Sequence, residues 1–344
     1  KIFGYLRYVL PNSDADSKGV TRGMIFNTID GTQLTDANYG SLLFGDNATY
    51  NIEFADYNDG DPIANGNTMS LTKTELQENP IAVAKVITEG TKKIGYLMYN
   101  QFVGAYDGEL NAAFGNFKGE GIDDLIIDLR YNGGGSVRTA IYLGSMVTGS
   151  HTGEVYSKQI WNEKAMAVFE AENLVNRFTD QINNGITNEG INSLNLNSVY
   201  FIVSSSSASA SELIINALSP YIDVHLIGNK TVGKQVGSIT VYDSDNLQKD
   251  GENLNSDHRY AMQPIVLEIS NKNNQNHPDG FIPGTTLPGI QLGENHGNLG
   301  VLGERSDPLL DRTLTYITTG ARSNSVQENV EFTEIYNSKL ATPA

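Results

Sequence analysis

From Lys93 onward the chain alternates short apolar runs with amphipathic stretches. Ile94 to Met98, Leu125 to Leu129, Val199 to Val203 and Val224 to Ile227 have strand length and end in polar or glycine-rich turns. Tyr106 to Phe117, Val137 to Val147 and Ser211 to Leu218, lying between them, carry helical spacing. Such alternation predicts an α/β core. Upstream the pattern is different: strands are expected at Tyr5 to Leu10, Met24 to Ile29, Tyr50 to Ala55 and Thr68 to Leu71, with a helix at Asp36 to Phe44. The expected organisation is a small β-rich domain over residues 1–80 followed by an α/β domain over 81–344. Within the second domain, Asn162 to Phe178 reads as helix, while Asn183 to Asn197 and Asn271 to Asp279 read as polar loops. From Gly320 onward there is no firm periodicity.

Composition removes several classes of function. The 344 residues include no cysteine, which excludes disulfides, thiolate metal sites and a cysteine nucleophile. A net charge of −17, with 23 basic residues scattered among 40 acidic ones, argues against a nucleic-acid partner. No run approaches the ~18 apolar residues of a membrane span. The five histidines form no HExxH or HxH pattern, so no metal is expected. Asp56 to Asp61 resembles a calcium loop only in part; its glycine is displaced and no Glu closes it, so it reads as a polar hairpin loop. The chain opens at Lys1 without Met, and removal of an address segment is expected.

Three turns carry candidate chemistry. Ser207-Ala208-Ser209-Ala210-Ser211-Glu212 joins an apolar run to an amphipathic one, where a serine is either a helix N-cap or a nucleophile at the positive end of a helix. Asp128-Leu129-Arg130-Tyr131-Asn132-Gly133-Gly134-Gly135 and Gly228-Asn229-Lys230-Thr231-Val232-Gly233-Lys234 follow strands. Their glycines serve either tight connections or presentation of N–H groups to an anion. Neither is a P-loop, because Gln235 follows the lysine where a Ser or Thr is needed.

In this order, and with Ser209 and Lys234 separated by 25 residues, the three motifs resemble those of the carboxyl-terminal processing, or tail-specific, serine peptidases. Gly280-Phe281-Ile282-Pro283 and Asp307-Pro308-Leu309-Leu310 extend the likeness, which covers roughly Lys92 to Thr319. It implies a crotonase/ClpP-like α/β core, Ser209 as nucleophile and Lys234 as general base. It also implies an oxyanion hole from the Gly133 to Gly135 turn, Gly134 and Gly135 in particular, together with the Ala210 N–H. Tyr8 to Asp16, Gly19 to Ile25 and Ile29 to Gly31 are similar to the family's PDZ module, with Asp14 and Met24 as departures. A PDZ role would make Phe3-Gly4-Tyr5 the loop that captures a free C-terminal carboxylate.

An ammonium cannot accept a proton, so a lysine base must sit in apolar surroundings that keep it neutral. Val232, Val236 and Val224 to Ile227 are expected to supply them. Many relatives place a glutamine four residues after the lysine; here that position is Ser238, whose hydroxyl is expected to orient the amine instead. The implied activity is endopeptidic cleavage of exported proteins near their C-termini through an acyl-enzyme, without a cofactor. Protein or peptide substrates with free C-termini are the implied partners. The implied location is extracytoplasmic, periplasmic or exported, including a lipoprotein freed of its anchor. A non-catalytic alternative exists on the same core: interphotoreceptor retinoid-binding proteins look similar and carry apolar ligands. A PDZ scaffold without activity is another, and an exposed lysine is what it would require. Crotonase-type acyl-CoA enzymes share the core but do not need a serine and a lysine together.

Overall fold

The computed structural model describes residues 2–321 and 333–338. They fall into two compact units, the first made of the residues up to Asn79 together with those from Leu292 onward, the second of Pro80–Gln291. The sequence placed everything after residue 80 in one domain. The chain in fact returns to the first unit, whose side chains bond the returning segment: Arg22 donates to Glu294 Oε1 at 2.7 Å, and Tyr5 meets the His296 ring edge-on at 4.5 Å.

The first unit holds β1 (Gly4–Tyr5), α1 (Asp14–Ser17), β2 (Ile25–Ile29), β3 (Thr32–Gln33), α2 (Tyr39–Phe44), β4 (Thr49–Asp56) and β5 (Ile63–Thr72). Its strands are antiparallel in the order β1-β2-β4-β5, with β3 beside β2. Alternate residues of β2 and β4 bury Phe26, Ile52 and Phe54 with Val20 and Leu34, and this small core explains the β-rich pattern. Of the expected strand at Tyr5 to Leu10 only Tyr5 is in a strand, as the second residue of β1.

The second unit is built on a sheet ordered β17-β14-β13-β8-β7-β6. Here β6 is Ile81–Glu89, β7 Lys92–Tyr99, β8 Asp124–Asp128, β13 Ser198–Val203, β14 Asp223–Gly228 and β17 Gly289–Gln291. Only β6 is antiparallel to its neighbour. Register aligns Leu97, Ile127, Phe201 and Leu226 across four strands, all fully buried. Against that row pack α3 (Asp107–Glu120), α4 (Val137–Thr148) and α6 (Ala210–Leu218), through Leu110, Phe114, Leu143, Met146 and Ile214. Strands buried on both faces read as continuous apolar runs, which is why they were visible in sequence.

A second sheet lies between β8 and β17 in sequence. β9 (Val155–Trp161), β10 (Val175–Arg177), β15 (Val236–Ser238) and β16 (Ile265–Ser270) pair in the order β10-β9-β16-β15, while β11 (Gln181–Asn183) pairs with β12 (Asn188–Gly190). The helix expected at Asn162 to Phe178 is therefore corrected: α5 spans only Glu163–Met166, and the segment ends as β10. Pairing with β9 outweighs local helical preference there. Finally, α7 (Pro308–Thr319) starts as the sequence suggested, with Asp307 capping the Leu309 and Leu310 N–H groups. The segment after Gly320 lies largely outside the described residues. Among the described residues no helix is long and apolar enough to cross a membrane.

Candidate active site

The strands β8, β13 and β14 are neighbours running in one direction, so the turns that follow them emerge at one edge of the sheet. Those turns are the three sequence motifs. Ligand sites in open α/β sheets form at this carboxyl edge because only there do several loops converge.

Ser209 stands apart from the other serines of its turn. Its φ of 57° and ψ of −114° lie in a region that a side chain rarely occupies, at a cost of about 1–3 kcal/mol. Ser207 and Ser211 are fully buried and committed: Ser207 Oγ donates to the Leu129 carbonyl at 2.8 Å and Ser211 Oγ to the Asn132 carbonyl at 2.9 Å. Ser209 is half-buried, and among the described residues its hydroxyl donates to no protein acceptor. Of the three serines it alone is both strained and available.

Two residues that the sequence reading passed over hold the turns together. Glu212 is fully buried, and its Oε1 accepts the Thr231 hydroxyl at 2.6 Å and the Gly233 N–H at 2.7 Å. Its Oε2 accepts the Ser209 N–H at 3.1 Å and the Lys234 N–H at 2.8 Å. One carboxylate thus fixes the backbone of the serine turn to that of the lysine turn. Asn132, also fully buried, accepts the Gly134 N–H at 2.9 Å and donates to the Tyr99 carbonyl at 2.8 Å, while its own carbonyl accepts the Ala208 N–H at 3.2 Å. An Asn two residues before Gly134 is the Asx-turn signal that could have identified it.

The glycine turn meets the serine turn closely. At Gly134, with φ +108°, an added Cβ would stand 2.7 Å from Ser209 Cβ and 2.8 Å from the Ala208 carbonyl oxygen. Any side chain there would displace the serine. The Gly134 N–H, expected in the oxyanion hole, is taken by Asn132. The Gly135 and Ala210 N–H groups have no acceptor among the described residues, Ala210 being the first residue of α6 and so one of its orphan donors.

Lys234 is exposed, contrary to the burial expected of it, and among the described residues its amine has no hydrogen bond or ion pair. Glu212 draws the N–H groups of Gly233 and Lys234 inward, and the side chains buried from this turn are Thr231 and Gln235. Val232, expected to shield the amine, is itself 51% exposed. Ser238 is also exposed, on β15, and its hydroxyl does not bond the amine. The structure therefore joins the backbones of the serine and lysine turns but not the two side chains. Behind the lysine turn runs the segment from His277 to Gly280, close enough that a Cβ on Gly233 would lie 2.1 Å from the Pro278 carbonyl oxygen. His277 is half-buried beside Phe281 with ring centroids 4.4 Å apart; burial pushes its pKa down, while the Glu212 charge pulls it up.

In the first unit, Gly4 and Tyr5 of the expected carboxylate loop form β1. The Phe26 ring covers Gly4 so closely that a Cβ would meet it at 2.2 Å.

A family model described as peptidase family S41 matches residues 93–263, the stretch that carries all three turns. Among curated proteins, a "Probable CtpA-like serine protease" of Staphylococcus epidermidis is 27% identical over 166 residues, covering 48% of this chain and 30% of the relative. A "Carboxyl-terminal-processing protease" of Picosynechococcus is 24% identical over 168 residues, covering 48% of this chain and 35% of the relative. The chain thus spans about a third of the length of the curated relatives it matches. A crystal structure from Bacteroides fragilis, assigned to the S41 proteases, superposes with a TM-score of 0.73 at 25% identity, over 93% of this chain and 79% of the other. With motif order, sheet topology and these likenesses in agreement, residues 93–263 of the chain belong to peptidase family S41.

Proposed function

We propose that this protein is a serine endopeptidase in which Ser209 is the nucleophile and Lys234 the general base. The observation that carries the proposal is the strained, uncommitted Ser209 at the head of α6, beside the free N–H groups of Ala210 and Gly135. In the first step neutral Lys234 takes the Ser209 Oγ proton as Oγ attacks the scissile carbonyl carbon. The carbonyl electron pair moves to oxygen, where the Gly135 and Ala210 N–H groups stabilise the charge. Collapse of the tetrahedral species breaks the C–N bond, and the departing amine takes the proton back from Lys234. A water then repeats the sequence on the acyl-serine, releasing the acid. The lysine side chain must swing from its exposed position toward Ser209, and a bound substrate would supply the desolvation that the free protein does not.

The substrates we propose are exported proteins cut near their C-termini, with the β-rich unit acting as a PDZ-like receptor for the free carboxylate. The exposed lysine is also what a non-catalytic scaffold would have. Incubation with an unfolded protein, with mass spectrometry of both the fragments and the intact enzyme, separates the two. A peptidase yields fragments and a transient acyl adduct on Ser209, whereas a scaffold yields neither. Amidating the substrate's C-terminus should slow cleavage of long substrates only.

A further inference from the structure

Residues 333–338 belong to the first unit and touch elements that lie far from them in the chain. Arg7, just beyond β1, donates to Glu334 Oε2 and forms an ion pair with it. Two residues on, the Tyr336 ring lies 4.3 Å from that of Phe44 and 5.9 Å from that of Tyr39, the last and first residues of α2. The segment therefore bridges the end of β1 and the helix α2. A piece of chain that merely completed a core would bury its most apolar side chain and leave its acid in water. Here the order is reversed: Ile335 is 49% exposed, while Tyr336 is half-buried and Glu334 is held by the arginine. An acid and a ring two positions apart serve as anchors, with the residue between them turned out, and such alternate contacts are those by which a protein surface reads an extended peptide.

The receiving side is organised independently of the segment. Arg7 Nε donates to the Tyr5 hydroxyl at 3.1 Å, which fixes the guanidinium beside β1. In α2, Tyr39, Leu42 and Leu43 pack on the small core of Phe26, Ile52 and Phe54, whereas Phe44 stands outside that core and stays exposed even with Tyr336 against it. Its ring serves the segment and not the core. A partly solvated ion pair and two ring contacts are each weak in water. Attachment to the surface it binds nevertheless keeps the segment in place, because a tether supplies an effective concentration on the order of millimolar. A polypeptide of the same chemistry that brings one further anchor of its own displaces it.

We propose that Arg7 and the Phe44 end of α2 form a docking surface for a polypeptide carrying an acidic residue two positions before an aromatic one, and that residues 333–338 of the same chain occupy it as a competing ligand. The docking does not depend on the peptidase reading; only its consequence, that substrates reaching the first unit must displace the segment, rests on it. The test is fluorescence polarisation with a labelled hexapeptide of the sequence 333–338, blocked at both ends, against the full chain carrying Ser209→Ala so that the probe stays intact. Adding Glu334→Lys and Tyr336→Ser to this parent releases the segment by altering only its two anchors. The released protein should bind the probe at least roughly tenfold more tightly than the parent, the ratio expected when the surface is open in about a tenth of the parent molecules. In the released background Phe44→Ser and Arg7→Gln, made separately, should each weaken binding by roughly tenfold or more. Phe44 is 42% exposed and outside the core, so its replacement leaves the fold intact. Equal affinity in the parent and the released protein, absence of binding to the released protein, or binding that survives either surface substitution overturns the proposal. A parent affinity that falls as the protein's own concentration rises would show that the segment comes from a second copy, which overturns its assignment to the same chain.

Discussion

The Glu212 carboxylate accepts the Lys234 N–H at 2.8 Å through the same oxygen that accepts the Ser209 N–H at 3.1 Å. The two residues proposed for the chemistry are thereby positioned through their backbones by one buried acid. Glu212→Gln keeps shape but turns one acceptor oxygen into a donor, which must face either the Ser209 and Lys234 N–H pair or the Thr231 and Gly233 pair. We expect kcat to fall by roughly tenfold or more with little change in KM, because misplacement of reacting groups acts on geometry. Stability should fall by about 1–3 kcal/mol for the donors left unpaired. Peptide kinetics and urea denaturation check both; unchanged kcat would leave Glu212 a fold element only.

The serines of the SASASE turn should separate by phenotype. Ser209→Ala is expected to abolish proteolysis at a stability cost of no more than about 0.5–2 kcal/mol, since the hydroxyl's contact is acceptance of the Glu212 N–H at the head of α6. Ser211→Ala removes the donor to the Asn132 carbonyl and Ser207→Ala the donor to the Leu129 carbonyl. These two should cost about 0.5–1.5 kcal/mol each and spare part of the activity. The reverse pattern would move the nucleophile away from Ser209.

Gly134→Ala and Gly133→Ala form a matched pair. A Cβ on Gly134 collides with Ser209 Cβ and the Ala208 carbonyl, whereas a Cβ on Gly133 meets nothing within 4 Å. Loss of activity and a lower melting temperature are expected for the first and near wild-type behaviour for the second. Equal effects would show that the close approach of the turns is not what matters.

Lys234→Arg should be as inactive as Lys234→Ala, because a guanidinium stays protonated at any working pH. Both should unfold at the wild-type denaturant midpoint, since the exposed amine has no partner to lose among the described residues. An active arginine variant would make the lysine an electrostatic group and send the search for a base elsewhere.

His277 gives the pH dependence a sign. Its pKa is lowered from 6.5 in the folded protein, so the unfolded chain binds the proton more readily. The stability associated with the neutral ring is fully present above 6.5 and is lost as the pH falls through the folded value. Denaturation midpoints measured at about pH 5 and about pH 7.5 should differ less in His277→Gln than in the wild type. An identical pH slope in the two proteins would mean that other groups carry it.

Much of this molecule is legible in sequence because its determinants are local. Strand segments such as Leu125 to Ile127 and Phe201 to Val203 are buried on both faces and so appear as unbroken apolar runs. The Asp307-Pro308 start of α7 and the three motif turns are likewise written in adjacent residues, and motif order with the spacing of Ser209 and Lys234 points to the family. What tertiary structure decided depends on partners far apart in the chain. Asn162 to Phe178 has helical composition but yields β10, because β9 offers it an edge to pair with. Glu212 reads in sequence as an ordinary first-turn acid, and only the return of the chain as β14 brings Thr231, Gly233 and Lys234 to its two oxygens. The exposure of Lys234 follows from the same contact: backbone N–H groups are pulled toward a buried carboxylate, and the side chain is left pointing to solvent. Sequence spacing sets which residues can meet; which of their atoms do so is fixed by where the buried hydrogen-bond donors find their acceptors.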